Sequence, residues 1–422
     1  MGSLPSFDAG YAGIASALFD QVRALSRDGP GVTRASYGDV ETRVLARLAR
    51  TAAAEGIATS YDAAGNLWMT VPGRAPERPG VIAGSHADSV PRGGNYDGLA
   101  GIVAGLVCAI RMCRERAPPE RTFTTVAFRG EESAWFGKPY LGSAALLGKL
   151  TDRDLALKHR DTGYPLRFYM REAGADPQRL VRGEPLVEPR SIAAYLELHI
   201  EQGPVLEDAD RPIGIVTGIR GNFRHRAIRC IGTAGHSGAV PKRMRQDAVF
   251  AVADLLSRIE EAWDEWLLNG HDLVVTSGVL HTNADTHAPS IIPGEVWFSL
   301  EARSGSQETL DGFHRAIAAE CESIGAARGV RFEFDQPIFS APATMDGALV
   351  ELLAGICAER KLAYMRVPSG AGHDAAHFAN AGVPAAMVFV RNQRGSHNPD
   401  ESMLIEDFML GTDVLYAAVR AI

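Results

Sequence analysis

The segment Gly84-Ser85-His86-Ala87-Asp88-Ser89-Val90-Pro91-Arg92-Gly93-Gly94-Asn95-Tyr96-Asp97-Gly98 decides how the rest of the chain is read. A short apolar run, Gly80-Val81-Ile82-Ala83, precedes it, and residues 99–113 after it read as a buried helix. His86 therefore falls at the carboxyl end of a predicted parallel strand, and Asp97 at the start of a helix. The loop joining them is dominated by turn-formers, with Pro91, Gly93, Gly94 and Asn95. Open α/β sheets bind ligands beyond the carboxyl ends of their strands. A divalent ion takes carboxylate oxygens and imidazole nitrogens from a stiff scaffold, and this loop offers both. A polar loop with one incidental histidine would look the same in isolation, so the remainder of the chain has to decide.

Outward from this segment, strands and helices alternate: strand 81–84, helix 98–116, strand 122–128, helix 140–149 and strand 192–199. That rhythm predicts an α/β catalytic domain with a mostly parallel, doubly wound sheet. Upstream, 7–27 and 39–55 have helical apolar spacing, and 61–71 reads as a hairpin through Ala64-Gly65-Asn66. Residues 151–190, rich in Arg, Asp and Pro, read as a surface excursion. From about residue 219 the rhythm changes to strand 223–231, helix 245–267, strands 273–280 and 295–302, helix 307–327 and strand 330–334. This βαββαβ order predicts a ferredoxin-like inserted lid and dimerisation domain over 219–336, between catalytic-domain segments 1–218 and 337–422. In the last segment, helix 346–359, strand 363–367, helix 374–381, strand 385–390 and helix 404–421 resume the α/β pattern.

A chain of 422 residues, 46% hydrophobic and 22% charged, is ordinary for a globular protein of at least two domains. Its net charge of −8 and scattered basic residues argue against nucleic acid or an anionic membrane as partner. No apolar run reaches the roughly eighteen residues of a membrane span. The first eight residues lack the basic region and apolar core of a secretory signal. Met1-Gly2 with Ser6 fits a loose myristoylation pattern, which nothing else supports. The five cysteines, Cys108, Cys113, Cys230, Cys321 and Cys357, form no CxxC pair and mostly sit in apolar contexts. They predict reduced core thiols and a cytoplasmic location.

Three further strand ends carry chemistry. Arg129-Gly130-Glu131-Glu132-Ser133 follows strand 122–128; of two adjacent glutamates, one can ligate a metal while the other faces water. Glu197-Leu198-His199-Ile200-Glu201-Gln202-Gly203-Pro204 ends strand 192–199. Arg394-Gly395-Ser396-His397-Asn398-Pro399-Asp400-Glu401 follows strand 385–390. Any one of these histidines alone is more often a satisfied hydrogen-bonding residue than a ligand. Together with Asp97 they are harder to dismiss, because side chains at the carboxyl ends of neighbouring parallel strands converge.

Read together, these segments resemble the amidase branch of the M20 metallopeptidase superfamily. This hydantoinase/carbamoylase group includes N-carbamoyl-L-amino acid hydrolases, allantoate amidohydrolases and β-ureidopropionases. The motifs GSHxDSVxxGGxYDG, FRGEES, HIEQGP, GxAGHSG, SGAGHDA and SHNPDE occur in order along nearly the whole chain. The resemblance implies two divalent metals, one on His86, Asp97 and His199, the other on Asp97, Glu132 and His397, with Asp97 bridging. Zinc suits these ligands, and manganese, cobalt or nickel could serve. Glu131 is then the general base and acid, and Asp88 orients the His86 imidazole.

The resemblance also implies that His236 reaches a partner subunit's active site to stabilise the oxyanion, across a homodimer formed by the inserted domain. Gln202 matches a residue near the metals, and Arg303 the arginine that grips the substrate carboxylate. Ser290 stands where an asparagine companion of that arginine is expected, which puts the clamp in question; His287 could compensate. Gly370 and Ala371 would offer backbone groups to substrate, and His373 would line the pocket.

His373-Asp374-Ala375-Ala376-His377 also has zincin-like i, i+4 histidines, but Asp stands in place of the catalytic Glu. Arg224 and His225, on a strand of the insert, read as surface. The expectation is a metal-dependent hydrolase of a linear, non-peptide C–N bond in a small acidic amide or ureido substrate. An N-carbamoyl amino acid would yield the amino acid, carbon dioxide and ammonia. The alternatives are an M20 aminoacylase or dipeptidase, and a non-catalytic metal-binding scaffold.

Overall fold

The computed structural model describes residues 7–422, so the Met1-Gly2 and Ser6 pattern lies outside the described residues. Helix α1 (Ala9–Ser26) starts at Asp8, whose carboxylate accepts hydrogen bonds from the Gly10 and Tyr11 amides. Next come α2 (Asp39–Ala54), β1 (Ala58–Tyr61), β2 (Leu67–Val71), β3 (Gly80–His86) and α3 (Leu99–Arg114). They are followed by β4 (Phe123–Phe128), α4 (Leu141–Leu146), β5 (Ile192–Ile200) and β6 (Ile213–Ile219). The middle of the chain forms β7 (Gly221–Ile231), α5 (Ala248–Leu268), β8 (Val274–Thr276), β9 (Leu280–Thr282) and β10 (Glu295–Ser304). It continues with α6 (Gln307–Arg328), β11 (Arg331–Glu333) and β12 (Ile338–Ser340). The last part holds α7 (Gly347–Glu359), β13 (Tyr364–Ser369), α8 (Asp374–Ala379), β14 (Ala385–Val390) and α9 (Ile405–Ala421).

Two compact units result: the chain up to Ile219 together with Thr344–Ile422, and Arg220–Ala343. The larger unit is a mixed α/β structure around a nine-stranded sheet. Its centre is parallel, with β14, β5, β3 and β4 side by side. The register sets Phe389 opposite His199 and His86 opposite Phe128, so the four strands finish at one edge. Antiparallel strands flank them, β6 beside β14 and β2 beside β4. Helix α3 connects β3 to β4, and every residue from Leu99 to Met112 is buried. A helix apolar on all sides has to be enclosed, and this one holds the loop of His86 and Asp97 against the sheet.

Residues 151–190 lie largely at the surface, as expected, but they are not irregular. They contain three short helices, and Leu155, Leu166, Met170 and Leu180 pack with Trp135, Phe136 and Leu141 in a core cluster of their own. The apolar residues there are spaced by turns, so no period announces them.

In the smaller unit a six-stranded antiparallel sheet runs β8–β10–β7–β11, with β9 also on β10 and β12 on β7. Val252 and Leu255 of α5 and Phe313 and Ile317 of α6 share a core with Phe223, Ile228, Phe298 and Leu300 of the sheet. The expected strand 273–280 is broken into β8 and β9, both paired with β10. The unit also runs past the expected limit at 336, because Ile338 and Ser340 of β12 pair with Arg224 and Asn222 of β7. Among the described residues no helix is long and apolar enough to cross a membrane.

Candidate metal centre

At the shared strand edge of the larger unit, Asp97 divides its two carboxylate oxygens between two sets of side chains. Oδ1 lies 3.4 Å from His86 Nε2 and 3.3 Å from His199 Nε2. Oδ2 lies 3.2 Å from His397 Nε2, which is itself 3.4 Å from Glu132 Oε1. Two atoms each about 2.1 Å from one ion, at a tetrahedral angle, stand roughly 3.4 Å apart. Asp97 Oδ1 and Glu132 Oε1 are moreover buried with no hydrogen-bond partner, and a buried carboxylate oxygen rarely stays unpaired. Both observations fit a cation.

The imidazoles are turned for ligation. His199 Nδ1 is 2.9 Å from the Ile200 carbonyl and so carries the proton, while the Gly98 amide donates to Nε2 at 3.2 Å and marks its lone pair. His86 Nδ1 faces Asp88, 3.2 Å from its carbonyl and 3.4 Å from Oδ1, which again leaves Nε2 toward Asp97. Asp88 does more than orient His86: its Oδ1 and Oδ2 accept from the Glu131 and Glu132 amides at 3.0 and 3.1 Å. One buried carboxylate thereby fixes both the β3 and β4 loops. A second brace lies behind, where Arg129 Nε donates to Glu41 at 2.6 Å and Glu41 accepts from the Gly130 amide.

Gly98 has φ +67°, and a Cβ there would lie 2.5 Å from the His86 ring. A Cβ on Gly94 would lie 2.0 Å from the Glu401 carboxylate. The glycines of this loop make room for a ligand and for its support.

Charge explains the site as well as distance does. Burial pushes the carboxyls of Glu131 and Glu132 up, with neighbouring carboxylates adding to the effect. Burial acts the same way on Asp97, but the imidazoles of His199, His397 and His86 around it hold it well below the usual range. The carboxylates of Asp97 and Glu132 beside it raise His397 to about 11. Unless a dication supplies positive charge, protonated imidazoles do. Metal binding is therefore expected to release protons, and the apparent affinity to fall as the pH drops. Calorimetric titrations in two buffers of different ionisation enthalpy check this; identical heats in both would contradict it.

Glu131 Oε2 stands 3.8 Å from His86 Nε2, beside the ligand set. Gln202, with φ +65°, donates from Nε2 to Asp97 Oδ2 at 2.8 Å, and its Oε1 is buried without a partner. His373 is buried and turned inward, with Nε2 2.9 Å from Ser369 Oγ and its ring 4.5 Å from that of His199. Ser369 Oγ also donates to the Ala371 carbonyl and accepts from the Ala371 amide, so that amide is already taken. Gly370 lies at the exposed start of that turn. Glu197, His199 and His373 form another close group of donors, but Glu197 is taken up by Ser85, Tyr195 and the Ala375 amide.

The remaining candidates belong to the smaller unit. Gly235 and His236 pair with Ile292 and Ile291, and the Ser237 amide donates to the Ser290 carbonyl at 2.9 Å. His236 is exposed, with Nδ1 accepting from the Gly238 amide. Arg303 pairs with Glu301. His225 is not on the surface: it is 1% exposed, 2.9 Å from both Asp335 and His314. It follows buried Phe223 by two residues and shares its inward face, and the bulge after it, between the pairs with Leu300 and Phe298, keeps Ile228 and Cys230 on that same face.

Three supporting residues escaped the sequence reading. Ser396 Oγ donates to Asp97 Oδ2, and Glu401 accepts from the Tyr96 and Asp97 amides. Arg34, fully buried, donates to the Ala87 and Asp97 carbonyls. Glu401 and Ser396 lie inside the quoted SHNPDE segment, but nothing in the spacing says which of its residues face inward.

The profile of peptidase family M20/M25/M40 matches residues 82–421. An N-carbamoyl-L-amino acid amidohydrolase from Geobacillus stearothermophilus is 37% identical over 92% of this chain and 93% of that protein. An allantoate amidohydrolase from Bacillus subtilis is 30% identical over 93% of each chain. Among solved structures, a hydantoinase/carbamoylase family amidase from Burkholderia ambifaria superposes with a TM-score of 0.87 at 30% identity, covering 99% of this chain and 98% of its own. With the similarity running through all four strand ends that carry the metal-ligand candidates, the chain belongs to peptidase family M20/M25/M40.

Proposed function

We propose that this protein is a dinuclear-metal amidohydrolase that cleaves the ureido C–N bond of an N-carbamoyl amino acid or related ureido acid. The observation that carries the reading is the division of Asp97 between His86 and His199 on one side and His397 and Glu132 on the other. The similar proteins named as N-carbamoyl-L-amino acid and allantoate amidohydrolases support the substrate class. Held by these residues, divalent ions supply Lewis acidity toward the scissile carbonyl and lower the pKa of water. Zinc suits the donor set, and manganese, cobalt or nickel would be accepted by it.

The chain's own residues do the rest. Glu131 takes a proton from water and returns it to the departing nitrogen, a task open to it because it is not tied up as a ligand. Asp88 fixes the Glu131 backbone and the His86 ring. Gln202 holds Asp97 and offers its free oxygen to an N–H of the ureido group. Arg303, with Ser290 as a weaker companion, grips the substrate carboxylate. His236 serves the oxyanion of a second copy of the chain, in a homodimer formed through the smaller unit as a ferredoxin-like lid. One water is consumed per N-carbamoyl group, giving the amino acid, carbon dioxide and ammonia. Five free cysteines, four of them buried, suit a cytoplasmic enzyme.

An activity panel tests the reading: N-carbamoyl amino acids, allantoate and ureido acids against N-acetyl amino acids and dipeptides, with added divalent ions. Turnover is expected for the ureido compounds. Preference for dipeptides would replace the reading by a peptidase.

A further inference from the structure

On the face of the six-stranded sheet away from α5 and α6, two arginines share one carboxylate oxygen. Glu301 Oε1 lies 2.9 Å from Arg224 Nη2 and 2.8 Å from Arg303 Nη2. The register brings them together. Glu301 of β10 is directly opposite Arg224 of β7, and Arg303, two residues on, shares its face opposite Asn222. The flanking strands add no charge at these positions: Thr276 is opposite Glu301, Val274 opposite Arg303 and Ile338 opposite Arg224. Side-chain exposures of 35% for Arg224, 27% for Arg303 and 18% for Glu301 leave the group reachable but partly withdrawn from water.

Two guanidiniums this close repel, and the carboxylate between them holds the pair together. The trio still carries one net positive charge, on planar forks made to bind carboxylates through paired N–H groups. We propose that Arg224 and Arg303 form a paired-guanidinium clamp for the substrate carboxylate, with Glu301 as its built-in counter-ion. The proposal rests on the ureido-acid reading above and adds Arg224 and Glu301 as specificity-determining residues. A second guanidinium also offsets the short side chain of Ser290. Because Glu301 competes with the incoming carboxylate for the same N–H groups, substitutions of Arg224 and Glu301 should act in opposite directions.

The test uses the metal-loaded Glu131→Gln enzyme, in which binding is read without turnover. An N-carbamoyl amino acid is the calorimetric probe, and its carboxamide analogue the uncharged control. Adding Arg224→Gln is expected to weaken binding of the acid at least about tenfold and leave the carboxamide within about twofold. Adding Glu301→Gln is expected to tighten binding of the acid while leaving the carboxamide unchanged. Unchanged affinity for the acid in both variants overturns the clamp, as does equal weakening of acid and carboxamide by Arg224→Gln. Hydrolysis of the ureido panel by the unaltered enzyme is read separately. Turnover with an indifferent Arg224 sinks the clamp alone; no turnover and no binding of either probe sinks both readings.

Discussion

Glu131→Gln is expected to keep its full metal content and to lose roughly 10²–10⁴-fold in kcat, with KM little changed, as removal of a general acid–base does. The substitution is nearly isosteric, and the Glu131 amide remains bonded to Asp88 Oδ1, so the loop has no cause to move. The Glu131 carboxylate is 3.8 Å from His86 Nε2, near the ligand set, whereas Glu132 Oε1 stands within 3.4 Å of His397. Retained metal with lost turnover would therefore separate the two adjacent glutamates by role. Kinetics beside elemental analysis of the same preparation is the measurement. Near-normal turnover would remove Glu131 from the chemistry, and loss of metal would make it a ligand instead.

The separation of roles depends on a turn that the sequence shows only in part. Gly130, with φ +67°, reverses the chain after β4, and the two glutamate amides that follow fall on the two oxygens of Asp88. Alternation of apolar strands and helices made the parallel centre legible, and with it the meeting of His86, Glu132, His199 and His397. Asp97 was legible through its place at the start of a helix that is apolar until its last turn. What holds these groups in register was not. Arg34, Glu41 and Glu401 are charged residues that periodicity assigns to solvent, yet each is buried against backbone groups of the site. Burial of a charge is a property of its partners, and those lie tens to hundreds of residues away. The same limit hid His225, whose partners Asp335 and His314 lie about a hundred residues away, and β12, whose three residues are too few to show a period.

The smaller unit shows the reverse case. Its two long helices and its longest strands were readable because they repeat their own patterns locally, while the observed order adds β9 and β12 to the expected βαββαβ. The Glu301 bridge between Arg224 and Arg303 was not readable, because it depends on the register between strands that bring together residues 77 apart in the chain. Register is set by pairing rather than by either strand alone.

Asp97→Ala is expected to abolish binding at both metal positions and with it all detectable hydrolysis. Loss of an outer-shell partner typically lowers metal affinity roughly 10–100-fold, and loss of a shared ligand must exceed that. Each oxygen of Asp97 serves a different pair, Oδ1 with His86 and His199, Oδ2 with His397. Neither set keeps more than two donors once it is gone. Glu132→Ala is the informative companion, since it removes a donor from the His397 set only and should cost one ion rather than two. Asp97 also accepts from Gln202 and Ser396, so thermal unfolding of the variant must be followed to show that the fold survives. Elemental analysis of the two variants then reads the bridge directly. Two ions retained by folded Asp97→Ala would show that the two remaining donor pairs bind independently, and the shared-carboxylate centre would have to be given up.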